Sequence, residues 1–298
     1  MHHKTLIAIL VILILLGGSF LFGMFVYLMS SPNRDAHLFS KGQVGLVTVE
    51  GGIYEPLETI KELDFYRKDD DIKAVVIRIE SPGGTVAASQ ELFGSIKRLA
   101  EKKPVVASMG SVAASGGYYI ACGATRILAN PGTITGSIGV RMEHVEIGNL
   151  LRWAMINHET LKSGKFKDIA SPERPLTPEE RTILEDMLIA IHKQFKETVA
   201  SSRGIAIETV DKIADGRIYS GEEAKNLGLV DQLGGYSDAV NLAGELAHIE
   251  GEPKVVEKYK QRQWWVDRLM ESAVSHFKVT VLEGKQKLEE PMLLYWGY

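Results

Sequence analysis

Ala74-Val75-Val76-Ile77-Arg78-Ile79-Glu80-Ser81-Pro82-Gly83-Gly84-Thr85 decides how this chain folds. The first half is a β-branched apolar run of the kind buried on both faces of a parallel sheet. The second half breaks that run with Pro and two Gly. From Thr85 to Lys102 the pattern is helical. Strand, glycine corner and helix form one half of a βαβ unit. The same order recurs outward from this stretch. Upstream, Val44 to Val49 reads as a strand and Pro56 to Lys68 as a helix with Leu57, Ile60 and Leu63 on one face. Downstream, Val105 to Ser108 and Arg126 to Ala129 read as strands, with a helix opening near Ser115 and running to Cys122. The expectation is βαβ units around a buried parallel sheet, with right-handed connections.

A long helix is expected from Pro178 to about Ser202. Thr177 and Glu180 form a capping box, Pro178 suits the first helical position, and Gly204 suits the end. Leu184, Met187, Leu188, Ile191 and Phe195 make its apolar stripe. A second capping box, Ser220 with Glu223, opens a helix over Glu222 to Leu227 that Gly228 closes.

Composition narrows the chemistry. The 298 residues are 45% hydrophobic and 24% charged, with a formal net charge of −4. No basic stripe points to nucleic acid. A single cysteine, Cys122, excludes an intramolecular disulfide and a cysteine-clustered metal site, and its apolar surroundings suggest a buried small hydrophobe. The eight histidines show no His-Glu-x-x-His or comparable spacing, so the expected chemistry uses neither metal nor cofactor. At the amino terminus, Thr5 to Met29 holds no charged residue. As a helix it would measure about 37 Å, enough to cross a hydrocarbon core of about 30 Å. A cleaved signal would carry a shorter apolar core and a small-x-small site, and Leu28-Met29-Ser30-Ser31 does not supply one. An uncleaved anchor followed by a polar tether is the reading. Lys4 on one side and Arg34 and Lys41 on the other leave its orientation undetermined by charge.

Three local features carry the reactive groups. Glu80 to Thr85 is a strand-to-helix corner whose glycines leave backbone N–H groups uncovered, an arrangement suited to a developing oxyanion and equally to a tight turn. Ala113-Ala114-Ser115-Gly116-Gly117-Tyr118-Tyr119 sets a serine among small residues at a helix start, either as nucleophile or as cap. It lacks the Gly-x-Ser-x-Gly pattern of α/β-hydrolases. A serine nucleophile needs a base. His144, His158 and His192 have no local signature, whereas Lys162-Ser163-Gly164-Lys165-Phe166-Lys167-Asp168 offers three lysines or a solvated basic loop.

Together the motifs ESPGGT, SMGSVAASGGYYIACGA, PGTITGSIGV, KSGKFKDIASPERPLT and GRIYSGEEAKNLGLVDQLGG resemble the signal peptide peptidase A family, in family order, over about Val44 to Leu246. The resemblance implies a Clp/crotonase-like β/α spiral with a parallel sheet, preceded by one transmembrane helix. It implies a membrane anchor over residues 1–30, a tether over 31–41, a serine protease domain over 42–250 and a carboxyl-terminal extension over 251–298. It makes Ser115 the nucleophile and Lys167 the base, with Lys165 and then Lys162 as alternatives. Gly84 and Gly116 would supply the oxyanion-hole N–H groups, Gly83 would shape the turn, and Ser137 would orient the lysine. It implies hydrophobic peptides as substrates, remnant signal peptides among them, a homo-oligomer, and a single-pass location with the catalytic domain outside the cytoplasm. Glu80 departs from the family, which more usually has Asp or Asn before SPGG.

A lysine works as base near neutrality only if its ammonium is destabilised by about 4 kcal/mol, chiefly through desolvation. Lys167 is therefore expected to be buried, with Asp168 turned away from it. The related Clp proteases use a histidine where this chain has none, near Ile138 to Val140, and His144 close by keeps a Ser–His variant as a remote alternative. Rival readings are a crotonase-like acyl-thioester enzyme and a non-catalytic membrane scaffold. The uncharged tail Pro291 to Tyr298 suits an interface, a membrane surface or the substrate groove.

Overall fold

The computed structural model describes residues 42–257 and, within the amino-terminal stretch, Gly17 and Gly18. The chain divides into two compact units, Met1–Lys41 and Gly42–Tyr298, and the elements below belong to the second. The expected anchor and the tail lie outside the described residues, apart from the two glycines. Among the described residues no helix is long and apolar enough to cross a membrane.

The central strands are β1 (Gln43–Glu50), β2 (Ile72–Ser81) and β3 (Val105–Ala114), separated by α1 (Leu57–Lys68) and α2 (Val86–Ala100). All three pair in parallel. Their residues are buried on both faces, which explains why they read as apolar runs rather than alternations. Val47, Val75, Ile77, Val105 and Ala107 join α1 and α2 in the larger core cluster. Val44, Leu46, Ala74, Val76 and Val106 face Ala239, Val240 and Ala243 of α8 (Tyr236–Leu246) on the other side. Burying a Val or Ile side chain contributes about 1.5–3 kcal/mol, so this three-strand centre anchors the fold.

Beyond β3 the sheet forks. The first half of β3 pairs with β4 (Arg126–Ala129), and its last three residues pair with β5 (Ile134–Gly136). The chain passes from β3 to β4 through α3 (Gly116–Ala121). The edge strand β6 (Ile218–Ser220) pairs antiparallel with β5, a departure from the all-parallel expectation. The short β7 (Gln232–Leu233) and β8 (Lys254–Val256) extend the sheet in parallel.

The remaining helices are α4 (Gly148–Trp153), α5 (Pro178–Arg203), α6 (Ile207–Ile213) and α7 (Gly221–Asn226). Both expected capping boxes are present, Thr177 with Glu180 on α5 and Ser220 with Glu223 on α7. Gly204 ends α5 at φ 64°, a left-handed conformation that glycine adopts without a Cβ penalty. The apolar stripe of α5 is buried only near its end, at Phe195 and Val199; Met187 is 44% exposed. The first half of the helix stands away from the core beside an exposed segment, residues 141–176.

Candidate active site

The serine corner is built by three convergent backbone segments. Ser115 ends β3 and caps α3 with φ 53° and ψ −120°. A non-glycine residue in this region is strained by roughly 1–3 kcal/mol, and such strain clusters at functional sites. The chain tolerates it here because both neighbours are fixed: Ser115 N–H donates to the Gly136 carbonyl at 2.9 Å, and the Ser115 carbonyl accepts from Tyr119 N–H at 2.9 Å.

The glycine corner after β2 packs directly against this serine. Gly83 has φ 105°, and a Cβ there would lie 2.7 Å from the Gly116 nitrogen and 3.0 Å from Ser115 Cβ. Ile53 N–H donates to the Gly83 carbonyl, and Thr85 N–H donates to the Ile53 carbonyl. These two bonds bracket Gly84 and turn its own N–H the other way. A Cβ on Gly116 would sit 3.1 Å from the Gly84 nitrogen. Among the described residues, neither Gly84 N–H nor Gly116 N–H has a protein acceptor. Two free N–H groups next to a serine at a helix start are the donor set an oxyanion needs.

Ser115, Gly84, Ser137 and Gly83 line one cavity of about 950 Å³, with Tyr54, Arg141, His192 and Asp215. Ser137 also has a positive φ, 51°, and its N–H donates to the Arg217 carbonyl at 2.8 Å. A smaller apolar recess of about 40 Å³ opens beside Ser115, walled by Val86, Tyr119, Ile191 and Phe195. Its floor is rigid, since the Tyr119 ring meets those of Phe93 and Phe195 edge-to-face.

Lys167 is the exception. It is exposed and is not among the residues lining the Ser115 cavity, contrary to the expected burial. Its segment is a series of tight turns on the surface, with Lys167 N–H donating to the Gly164 carbonyl. Asp168 turns away from it, as expected, though through turn geometry rather than strand alternation. The Asp168 carboxylate pairs with Lys162 at 2.6 Å and Arg174 at 3.1 Å, and its pKa is lowered by the Lys162 hydrogen bond first and Arg174 after it. Lys165 is paired with Glu179. Arg174 also holds both oxygens of Glu180 at 2.6 and 2.7 Å, and this bond, with the Thr177 N–H, lowers Glu180 to about 2. Lys162 and Lys165 are thus each ion-paired with a carboxylate.

His144 lines a separate cavity with Met142, Leu176, Leu184 and Leu188, so the Ser115–His144 variant has no geometric support within one chain. His192 is the residue that sequence reading passed over: it lines the Ser115 cavity with a buried Nε2 that no group among the described residues satisfies. Four residues after Leu188 on the α5 stripe, its position on the helix was the available signal. Cys122 is buried, and desolvation pushes its thiol up to about 12, so it is an inert packing residue. Among the described residues no group of His, Cys, Asp and Glu is arranged to hold a metal ion.

A strained serine on a helix start, facing a glycine corner with free N–H groups at the carboxyl ends of the central parallel strands, defines a serine peptidase of the Clp-type α/β class. The profile of Clp protease matches residues 47–133, which hold both corners. The profile of peptidase family S49 matches residues 97–250, a span containing Ser115, Ser137 and Lys167. The chain belongs to peptidase family S49, and it is a serine protease. Relatives agree: a Synechocystis sp. protein with a protease name is 44% identical over 66% of this chain and 69% of its own length. The Arabidopsis thaliana chloroplastic serine protease SPPA is 38% identical over 71% of this chain and 31% of its own. An Enterococcus faecium protein carrying the name signal peptide peptidase SppA is 32% identical over 70% and 58%. This chain therefore spans from about a third to about two thirds of these relatives.

Proposed function

We propose that this protein is a membrane-anchored endopeptidase in which Ser115 and Lys167 form a catalytic dyad completed between copies of the chain. The observation that carries the reading is the strained Ser115 facing the free N–H groups of Gly84 and Gly116. Ser115 Oγ attacks a peptide carbonyl carbon while Lys167 Nζ takes the hydroxyl proton. The oxyanion is held by the two N–H groups. As the C–N bond breaks, the lysine returns the proton to the leaving amine, and a lysine-activated water then releases the acyl group. Ser137, on the wall of the same cavity, orients the incoming lysine. No cofactor enters this scheme.

The position of the lysine supports completion between copies. Lys167 is exposed and off the wall of the Ser115 cavity, yet a lysine base needs desolvation. Its surroundings expose Trp153 at 81%, Met155 at 89% and Leu161 at 89%, apolar area that a neighbouring copy would cover. Docking that surface over the Ser115 cavity of the next copy would bury the lysine and supply the base in one step.

Substrates are hydrophobic peptides, remnant signal peptides included. The apolar recess beside Ser115 supports this, as does the name of the Enterococcus relative. The uncharged stretch Thr5 to Met29 is read as the membrane anchor, with the protease domain outside the cytoplasm.

Full-length protein in detergent tests the scheme. A fluorophosphonate should label Ser115, and Ser115→Ala and Lys167→Ala should each be inactive. Co-assembling the two inactive chains should restore about a quarter of the wild-type rate, because random neighbours pair an intact serine with an intact lysine at that frequency. No recovery in co-assembled chains would place the dyad within one copy. Wild-type turnover in Lys167→Ala would remove the lysine from the mechanism.

A further inference from the structure

We propose that Glu80 is a positioning residue that sets the height of Ser115 above the glycine corner, using its carboxylate as a replacement for strand backbone. The inference rests on Ser115 as nucleophile, and its geometry stands apart from that reading. Along β2 and β3 the register runs Ile79 opposite Met109 and then Ser81 opposite Ala113. Two steps on β2 therefore face four on β3. The three residues that face Glu80 alone, Gly110 to Val112, are where β3 leaves β4 for β5.

Such a bulge strands backbone donors that β2 would otherwise accept. Glu80 takes both: Ser111 N–H donates to Oε2 at 2.8 Å and Val112 N–H to Oε1 at 2.9 Å. A charged acceptor makes each bond stronger than the neutral strand bond it replaces. Gly110 is required for the approach, since a Cβ there would lie 1.8 Å from Glu80 Oε2. On the other flank of the bulge, Thr133 Oγ1 donates to the Gly110 carbonyl at 2.7 Å. The route from this clamp to the nucleophile is three residues of β3, held to β5, and then Ser115.

The adjacent residue fixes the opposing half of the site. Ser81 Oγ donates to the Gly51 carbonyl at 2.6 Å and accepts from Gly83 N–H at 3.1 Å. Glu80 thus governs the strand that ends in Ser115, and Ser81 governs the turn that presents Gly84. Two neighbouring side chains of β2 set the distance between nucleophile and oxyanion donors. Because misplacement of a reacting group by about 1 Å can cost 100-fold in rate, a bulge left to relax would be felt in turnover. The glutamate side chain is long enough for its carboxylate to span the bulge to two consecutive amides.

The test uses full-length Glu80→Gln and Glu80→Ala, assayed well below their melting temperatures, with Glu80→Asp as the conservative variant. Glutamine keeps the size but offers one good acceptor and a donor where two acceptors are needed. The expected result is a kcat at least tenfold lower with KM changed less than twofold in Gln and Ala, and partial recovery in Asp. Fluorophosphonate labelling of Ser115 should slow by the same factor. Normal kcat and labelling with only a lower melting temperature would reduce Glu80 to a structural clamp and overturn the proposal. A change confined to KM would overturn it too. If the Ala variant does not fold, the Gln variant decides. Should the wild type fail to label at Ser115, the nucleophile assignment falls instead, which separates the two failures.

Discussion

Ser115 and Lys167 sit in parts of the molecule built on opposite terms. Around the serine every segment is committed: β2, β3 and β5 lock the backbone, glycine replaces any side chain that would keep the corners apart, and Tyr119 and Phe195 of the floor are buried. Around the lysine the chain is turns and short helices, with large apolar side chains facing solvent and order supplied by ion pairs. Under the proposed dyad, the difference teaches where each half would obtain its precision. A nucleophile that must meet two backbone donors is positioned by a rigid sheet within one chain. A base that must be desolvated can be positioned by whatever surface closes over it.

The largest effect should come from the committed side. Ser115→Ala is expected to reduce peptide hydrolysis by about 1,000-fold or more while leaving the melting temperature within a few degrees of wild type. Calorimetry and a fluorogenic apolar peptide check both halves. Residual turnover near wild type would move the nucleophile elsewhere and dissolve the contrast. The second effect belongs to the exposed side. Trp153→Glu with Leu161→Asp should leave the fold intact, because neither side chain packs in the core, and should dissociate the assembly while lowering activity about tenfold. Light scattering with activity at matched concentrations is the measurement. Loss of association with full activity would show that the lysine does not depend on a neighbour.

The two regions also differ in how far sequence alone reveals them. The β2 and β3 runs, the glycine corner and the serine motif are local patterns, and their folded partners are the adjacent elements, so short windows sufficed. Both capping boxes formed because a cap is satisfied within four residues. The strands β5 to β8 are two or three residues long, too short to show a period. On α5 the period was right and the burial was not: periodicity tells which face is apolar, while what covers Met187 depends on surfaces beyond the helix. Lys167 shows the same gap. Its residue type and motif were readable, but its exposure depends on packing that no spacing encodes. The bulge clamped by Glu80 was invisible because register shifts leave no compositional trace.

A third prediction concerns the ion pairs that hold the lysine segment. Arg174 ties Asp168, next to Lys167, to the buried Glu180 at the start of α5. Arg174→Ala should lower kcat by several-fold, less than loss of the apolar contacts, since the turns keep their backbone bonds. Its acid behaviour follows from Glu180, whose pKa falls to about 2 through the Arg174 bond. A depressed folded value stabilises above the ordinary carboxylate range of about 4.3, and that contribution disappears as pH falls through about 2. The gap in melting temperature between wild type and Arg174→Ala should therefore be full near neutrality and close on acidification toward pH 2. A gap that stays constant would mean that Arg174 stabilises by packing alone.

The smallest effect tests whether α5, which spans both regions, belongs functionally to the serine side. Its residues Ile191 and Phe195 wall the recess beside Ser115, and His192 faces the larger cavity with an unsatisfied, buried Nε2. An orphaned buried imidazole nitrogen costs free energy, of the order of 1–3 kcal/mol, unless something else satisfies it. In an enzyme cavity that partner is water or the substrate backbone. If the substrate replaces water there, the bond is a uniform binding contact: it holds ground state and transition state alike. His192→Leu should then raise KM by about threefold to tenfold with kcat nearly unchanged, and His192→Gln, which retains a hydrogen-bonding group, should recover part of the loss. Tenfold or greater loss in kcat would instead assign His192 a part in proton transfer and revive a histidine mechanism from a position other than His144. Unchanged kinetics would leave the imidazole to water, and α5 would serve the serine side only through the apolar wall of Ile191 and Phe195.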